Sequence, residues 1–309
     1  MNILRKVYAG SSARQALWRL LAVAAFCLIT AAGRGAGYYA VTVQPLRMIV
    51  AELAAGRAEV VAIIPPGASP HTYEPRPSDL KAVRDAKFFL SVAENLDSWA
   101  ARLPNEHSAR AMDLLPESAR QSFPETAEHD HHDDHDHDHG AIDPHFWTDP
   151  LAVKALLPAL TAKLCEVDPQ GAGAYRANEK VFAAQLDMLN EEATRELAPL
   201  RGRSAFLFHP SFLYLLKRHG IDYAGSIEEI PGKEGSPRHT IAAIKAIKAK
   251  HVPVVFTEPQ LPRGPAAVIA EGAGVKLAEL DPNGGVAGRM KYEEWLRHNL
   301  TVLREAYQP

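Results

Sequence analysis

The chain has 309 residues, carries 34 Lys and Arg against 37 Asp and Glu for a formal charge of −3, and is 47% hydrophobic. That length supplies two packed cores, and an acidic balance argues against nucleic acid as a partner. With two cysteines, Cys27 and Cys165, a disulfide framework is excluded as the source of stability.

Arg5, Lys6, Arg14 and Arg19 precede an apolar run from Leu20 to Ala32 that ends in small residues. This is the layout of a secretory signal peptide, assigned to residues 1–37, with Ala32 and Gly37 as alternative stopping points. The run is too short to span a bilayer, so the mature protein is expected to be soluble and periplasmic. Phe26, just before Cys27, stands where a lipid-attachment signal calls for a small residue. Removing residues 1–37 takes away five basic residues and no acidic one, moving the formal charge from −3 to −8. Cys165 is then the lone cysteine, and an intramolecular disulfide is impossible.

Residues 38–168 read as an N-terminal α/β lobe. β-rich runs at Ala40–Val43, Ala58–Ile63 and Lys87–Val92 alternate with helical stretches at Pro45–Ala55, Ser78–Ala86 and Asn95–Arg102, the pattern of a parallel sheet covered by helices. Gly56 supplies a helix stop, and Ser78 with Asp79 a helix start. Asp168-Pro169 then opens a linking helix over 169–199, where Phe182, Leu186, Leu189, Ala193 and Leu197 recur at three- and four-residue steps up to Pro199. Residues 200–309 repeat the scheme with strands at Ser204–Phe208, Ile221–Ile227, Val252–Thr257 and Val275–Leu280 and helices starting at Ser211, Thr240, Pro265 and Lys291. The expected fold is two doubly wound parallel-sheet lobes joined by one long backbone helix, which permits only modest closure.

Residues 124–140 break this pattern. From His129 to His139 they run HDHHDDHDHDH, six of the chain's fourteen histidines with five aspartates. With no apolar residue the tract cannot join a core and is expected to be a solvated loop. His129, His131, His132, His135, His137 and His139 are donors for auxiliary, weak metal binding.

Four further residues sit at strand ends or on the loops that follow: His71 in PPGASPHTYEP, His145 in DPHFWTDP, His209 in FLFHPSF and Asp281 in AELDPNGG. Ligands bind at the carboxyl ends of strands in doubly wound sheets. Two of the four come from each lobe, and three imidazoles with one carboxylate meeting in a cleft make a closed four-coordinate site that suits zinc. Glu258, in FTEPQ, either orients a metal-ligating imidazole or caps its loop. Trp147, two residues past His145, reads as a core residue that would sense a metal if its ring faced the cleft.

From about Tyr39 to Ala306 the chain resembles the extracellular solute-binding proteins of zinc and manganese ABC importers (cluster A-I), specifically the zinc-uptake type. PPGASPHTYEPRPSD, DPHFWTDP, FTEPQ and ELDPNGG carry the resemblance, in the family's order. It implies that His71, His145, His209 and Asp281 coordinate Zn2+ as transported ligand. The implied partners are an inner-membrane ABC permease and a periplasmic zinc chaperone, with the protein acting as a monomer. Manganese members usually place Glu at the third position, so His209 and the His-rich loop favour zinc. Pro210 and Ser211 depart from the acidic and small residues that commonly follow the third ligand, and Cys165 alone cannot form the C-terminal disulfide of many zinc members.

Two other classes compete. A secreted zinc hydrolase needs an open coordination position and commonly H-E-x-x-H; the motif is absent, and Asp281 would fill that position. A metal-storing or adhesive protein without a transporter shares these sequence features and is told apart by whether permease and ATPase genes adjoin. The expected function is therefore zinc capture for an importer, not catalysis.

Overall fold

In the computed structural model, the described residues are 37–103, 105–124, 142–229, 231–232 and 236–308. The expected signal peptide, apart from Gly37, and histidines 129–139 lie outside them. Among the described residues, no helix is long and apolar enough to cross a membrane.

The first sheet is built from β1 (Tyr38–Val41), β2 (Glu59–Ala62), β3 (Phe88–Ser91) and β4 (Ser108–Arg110), with α1 (Gln44–Ala54), α2 (Pro77–Asp85) and the short α3 (Glu94–Asp97) in its crossovers. All pairings are parallel, in the order β2-β1-β3-β4. The second sheet has β5 (Ser204–Leu207), β6 (Asp222–Ser226), β7 (Val254–Thr257) and β8 (Lys276–Glu279) in the equivalent parallel order β6-β5-β7-β8. Its helices are α7 (Leu213–His219), α8 (Pro237–Ala249), α9 (Arg263–Ala273) and the terminal α10 (Tyr292–Ala306). Between the sheets run the short α4 (Ala111–Leu114), then α5 (Pro150–Val167) and α6 (Ala172–Leu197).

Three of these elements were not expected from sequence: β4, a three-residue edge strand, the one-turn α4 and the eighteen-residue α5. The α1 stop also differs in detail. The left-handed C-cap is Ala55, at φ 32°, with Gly56 following at φ 81°.

Strand periodicity decides where each side chain goes, because successive residues face opposite sides of a sheet. Tyr39 and Val41 of β1, Phe88 and Leu90 of β3, Ala205 and Leu207 of β5, and Val254 and Phe256 of β7 all enter one large central core. The alternate residues face outward: Ala40 and Phe89 join a small cluster with Val83 of α2, and Phe206 and Val255 join another with Ile247 and Ile269 of α8 and α9. The central core is filled from the middle by Leu156, Leu160 and Leu164 of α5 and by Tyr175, Phe182, Leu186, Leu189, Ala193 and Leu197 of α6. Each fully buried Leu or Phe contributes about 1.5–3 kcal/mol.

At its start α6 is fixed by Asp168. Its Oδ1 accepts from Gly171 N, and its Oδ2 accepts from Arg57 Nη2 and the Tyr175 hydroxyl, both at 2.8 Å. Burial alone would raise the Asp168 pKa, but Tyr175 and Arg57 outweigh it and hold the carboxyl below its ordinary value. Along its length α6 meets α1 through Asn178 Nδ2 donating to Leu53 O, and α10 through Gln185 Nε2 donating to Glu293. One helix of about 39 Å is thereby attached to elements of both sheets.

Candidate metal centre

His71 lies on the loop after β2. In this loop Pro65 O accepts from Ala68 N with Gly67 at φ +84°, a left-handed value that favours glycine, and His71 stands in the next turn, where Ser69 O accepts from Thr72 N. Beside it, a Cβ on Gly232 (φ +90°) would come within 3.0 Å of Thr72 Cγ2, so the segment after β6 closes tightly on this turn. Glu228 Oε2 accepts Gly232 N at 2.8 Å and holds that approach.

His145 is held by Asp143, two residues before it. Asp143 Oδ1 accepts from both His145 N at 2.9 Å and His145 Nδ1 at 2.7 Å. Asp143 is itself fixed, because its N–H donates to Gln121 O and its carbonyl accepts from the Tyr214 hydroxyl. A carboxylate only accepts, so the proton sits on Nδ1 and the lone pair of His145 on Nε2.

His209 follows β5 and Glu258 follows the neighbouring β7. The chain leaves these two strands in opposite directions, a topological switch point where doubly wound sheets bind ligands. His209 Nδ1 lies 2.7 Å from Glu258 Oε1. That is ion-pair distance, but Nδ1 makes no hydrogen bond to the carboxylate. Ser211 Oγ donates to the same Glu258 oxygen at 2.9 Å. Of the two roles open for Glu258, this places it beside a ring.

One nitrogen each from His71, His145 and His209 lies within 4.8 Å of the others. His145 Nε2 is 3.2 Å from His71 Nε2 and 3.4 Å from His209 Nε2. Tetrahedral zinc with Zn–N of ~2.0–2.1 Å sets its nitrogens about 3.3–3.4 Å apart, so the spacing fits such an ion. Burial, then the neighbouring His209 and His145 rings, hold the His71 pKa well below its ordinary value, although part of its surface still meets solvent. A neutral ring is the form that binds metal.

Asp281 does not join this cluster within 4.8 Å. Its Oδ1 accepts from Gln260 Nε2, Asn283 N and Gly284 N, and its Oδ2 pairs with Arg289 Nη1 at 2.7 Å. Trp147 is fully buried, donates Nε1–H to Pro282 O, and stands edge-on to His145 at 5.4 Å between ring centroids. It is thus both a core residue and a neighbour of the site. Asp143 and Arg289 were not singled out from sequence. The Asp-x-His spacing is a usable signal for the first, whereas nothing local marks the second.

Residues 40–306 match the family described as ZnuA, zinc-uptake complex component A periplasmic. The high-affinity zinc uptake system protein ZnuA of Yersinia pestis is 30% identical over 266 residues, covering 79% of this chain and 82% of that protein. A Thermotoga maritima protein described as a putative metal-binding protein is 28% identical over 86% of this chain and 91% of its own length. The crystal structure of a ZnuA superposes with a TM-score of 0.73 at 25% identity, covering 88% of this chain and 98% of that one. The family comprises metal-binding components of ABC import systems rather than enzymes. Fold, matched length and relatives agree: the chain belongs to the ZnuA family of zinc-uptake complex components.

Proposed function

We propose that this protein captures Zn2+ in the periplasm, in the cleft between its two lobes, and delivers it as a monomer to an inner-membrane ABC permease. His71, His145 and His209 are the primary donors, and Asp281 becomes the fourth when its Oδ2 is free. The observation that carries the reading is the set of three mutually close imidazole nitrogens at spacings a tetrahedral ion requires. Nitrogen donors favour zinc over manganese, which prefers oxygen. Charge agrees as well, since the buried carboxylates of Asp143 and Glu258 together balance one divalent cation. The histidines of 129–139 act as weak, auxiliary collectors, and a periplasmic chaperone is the proposed donor.

The test is native mass spectrometry of the mature, untagged protein titrated with Zn2+ and with Mn2+. One tightly retained Zn2+ is expected, with His145→Ala and His209→Ala folded but weakened more than a hundredfold, the equivalent of ~3 kcal/mol. Unchanged zinc loading in both variants, or preferential retention of Mn2+, would sink the reading.

A further inference from the structure

Asp281 stands apart from the three imidazoles, and its two oxygens are used differently. It is 1% exposed. Oδ1 is occupied by three N–H donors: Gln260 Nε2 at 2.8 Å, Asn283 N at 3.1 Å and Gly284 N at 2.9 Å. Oδ2 is engaged by one group, Arg289 Nη1 at 2.7 Å. Arg289 belongs to a tight turn in which Gly285 N donates to Arg289 O and Arg289 N to Val286 O, and its side chain is 21% exposed. The carboxylate is therefore buried and anchored at one oxygen, while its other oxygen rests on a partly exposed cation whose Nη1 also lies 3.4 Å from His298 Nε2.

We propose that Arg289 competes with the bound cation for Asp281 Oδ2 and so sets how long the metal stays. This rests on the reading that His71, His145 and His209 hold zinc. With Arg289 paired to Asp281, the ion is held by the three imidazoles and leaves readily. With Arg289 turned to solvent, Oδ2 is free to close the fourth position and the ion is retained. Removing Arg289 acts on both states. It leaves a buried, uncompensated carboxylate in the empty protein, which disfavours that state, and it frees Oδ2 in the loaded one.

The experiment follows Zn2+ release from the mature protein into excess chelator by stopped flow, in parallel with the visible spectrum of the Co2+-loaded form. Arg289→Gln is expected to slow release by about tenfold, since affinity differences between related complexes reside mostly in the off-rate. It should also shift the Co2+ bands and enlarge the rise in melting temperature on adding Zn2+. Asp281→Asn is expected to release faster than native, and Arg289→Gln should have no effect in that background. Native-like or faster release from Arg289→Gln, or the same slowing in the Asp281→Asn background, would overturn the proposal. If empty Arg289→Gln does not fold, Asp281→Asn alone decides, because release and Co2+ spectra identical to native would equally overturn it. Absence of a tight zinc in native protein and variants alike would instead remove the three-histidine reading, and this proposal with it.

Discussion

Two of the three clustered imidazoles are supported differently from the third. His145 and His209 are 2% and 4% exposed, and each Nδ1 lies 2.7 Å from a buried carboxylate oxygen, of Asp143 and Glu258 respectively. His71 sits on a loop rich in Pro and Gly and, among the described residues, has no carboxylate at such a distance. The first two rings are aimed by the folded frame before any ion arrives, while the third is brought by a loop. A carboxylate behind an imidazole also makes the ring a stronger donor. The two supported rings should therefore supply more of the affinity, and the loop ring should supply the way in.

The largest effect expected short of removing a ring tests those supports. Asp143→Asn and Glu258→Gln should each weaken zinc binding by about 10–100-fold, the usual consequence of removing a partner behind a ligand. Asp143→Asn should be the worse of the two, because Asp143 also holds the backbone of His145 whereas His209 Nδ1 makes no hydrogen bond to Glu258. A competition titration against a zinc chelator measures both. Native affinity in either variant would erase the distinction between framed and loop-borne rings.

A smaller effect concerns acid. His71 is kept well below its ordinary pKa by burial and the adjacent His209 and His145, so it stays neutral in the fold where an unfolded chain's imidazole takes up a proton. The unfolded state then binds more protons. The stability this contributes is present above about pH 6.5 and is lost as pH falls towards the folded value. Metal-free protein should accordingly melt at lower temperature as pH drops from ~6.5 to ~5, with a His71 share of at most about 1.4 kcal/mol per pH unit. His71→Asn should flatten that slope in part, leaving the portion due to His219 and His298, which burial also lowers. An undiminished slope would show that the loop ring titrates freely.

The smallest expected change is in equilibrium affinity on deleting residues 129–139, since none of His71, His145, His209 and Asp281 lies in that tract. One tight zinc should remain and only weaker, additional capacity should disappear, because a tract without apolar residues is expected to lose conformational freedom on closing around an ion. Chelator competition on both forms decides it. Loss of the tight zinc would mean that the tract, not the frame, supplies primary donors.

Much of this arrangement is legible in the chain. Strands buried on both faces leave continuous apolar runs such as Val254-Val255-Phe256, and the α6 stripe announces itself by its period. β4 escapes because Ser108-Ala109-Arg110 lies at a half-exposed edge and needs no apolar alternation. α5 escapes because it is apolar on most sides and carries Pro158 inside, on an exposed turn where the missing N–H is tolerated. At the site, single histidines at strand ends are visible because the fold class tells where to look. The Arg289 contact is not visible, since it depends on how a loop turns back on itself eight residues later. The same contact explains why motif order alone places Asp281 with the histidines while the structure ties it to an arginine.

The central core has a further consequence, for cooperativity. Tyr39 and Phe88 from one sheet, Leu207 and Phe256 from the other, and Phe182 and Leu186 from the helix between them belong to one continuous cluster. Each inner face packs partly on its own helices, α1 for the first sheet and α7 and α10 for the second, and partly on α5 and α6, so a fragment lacking that central pair would leave part of the face wet. The protein should consequently melt as one unit, and an ion gripped at the site should protect amide hydrogens far from it, in both halves at once.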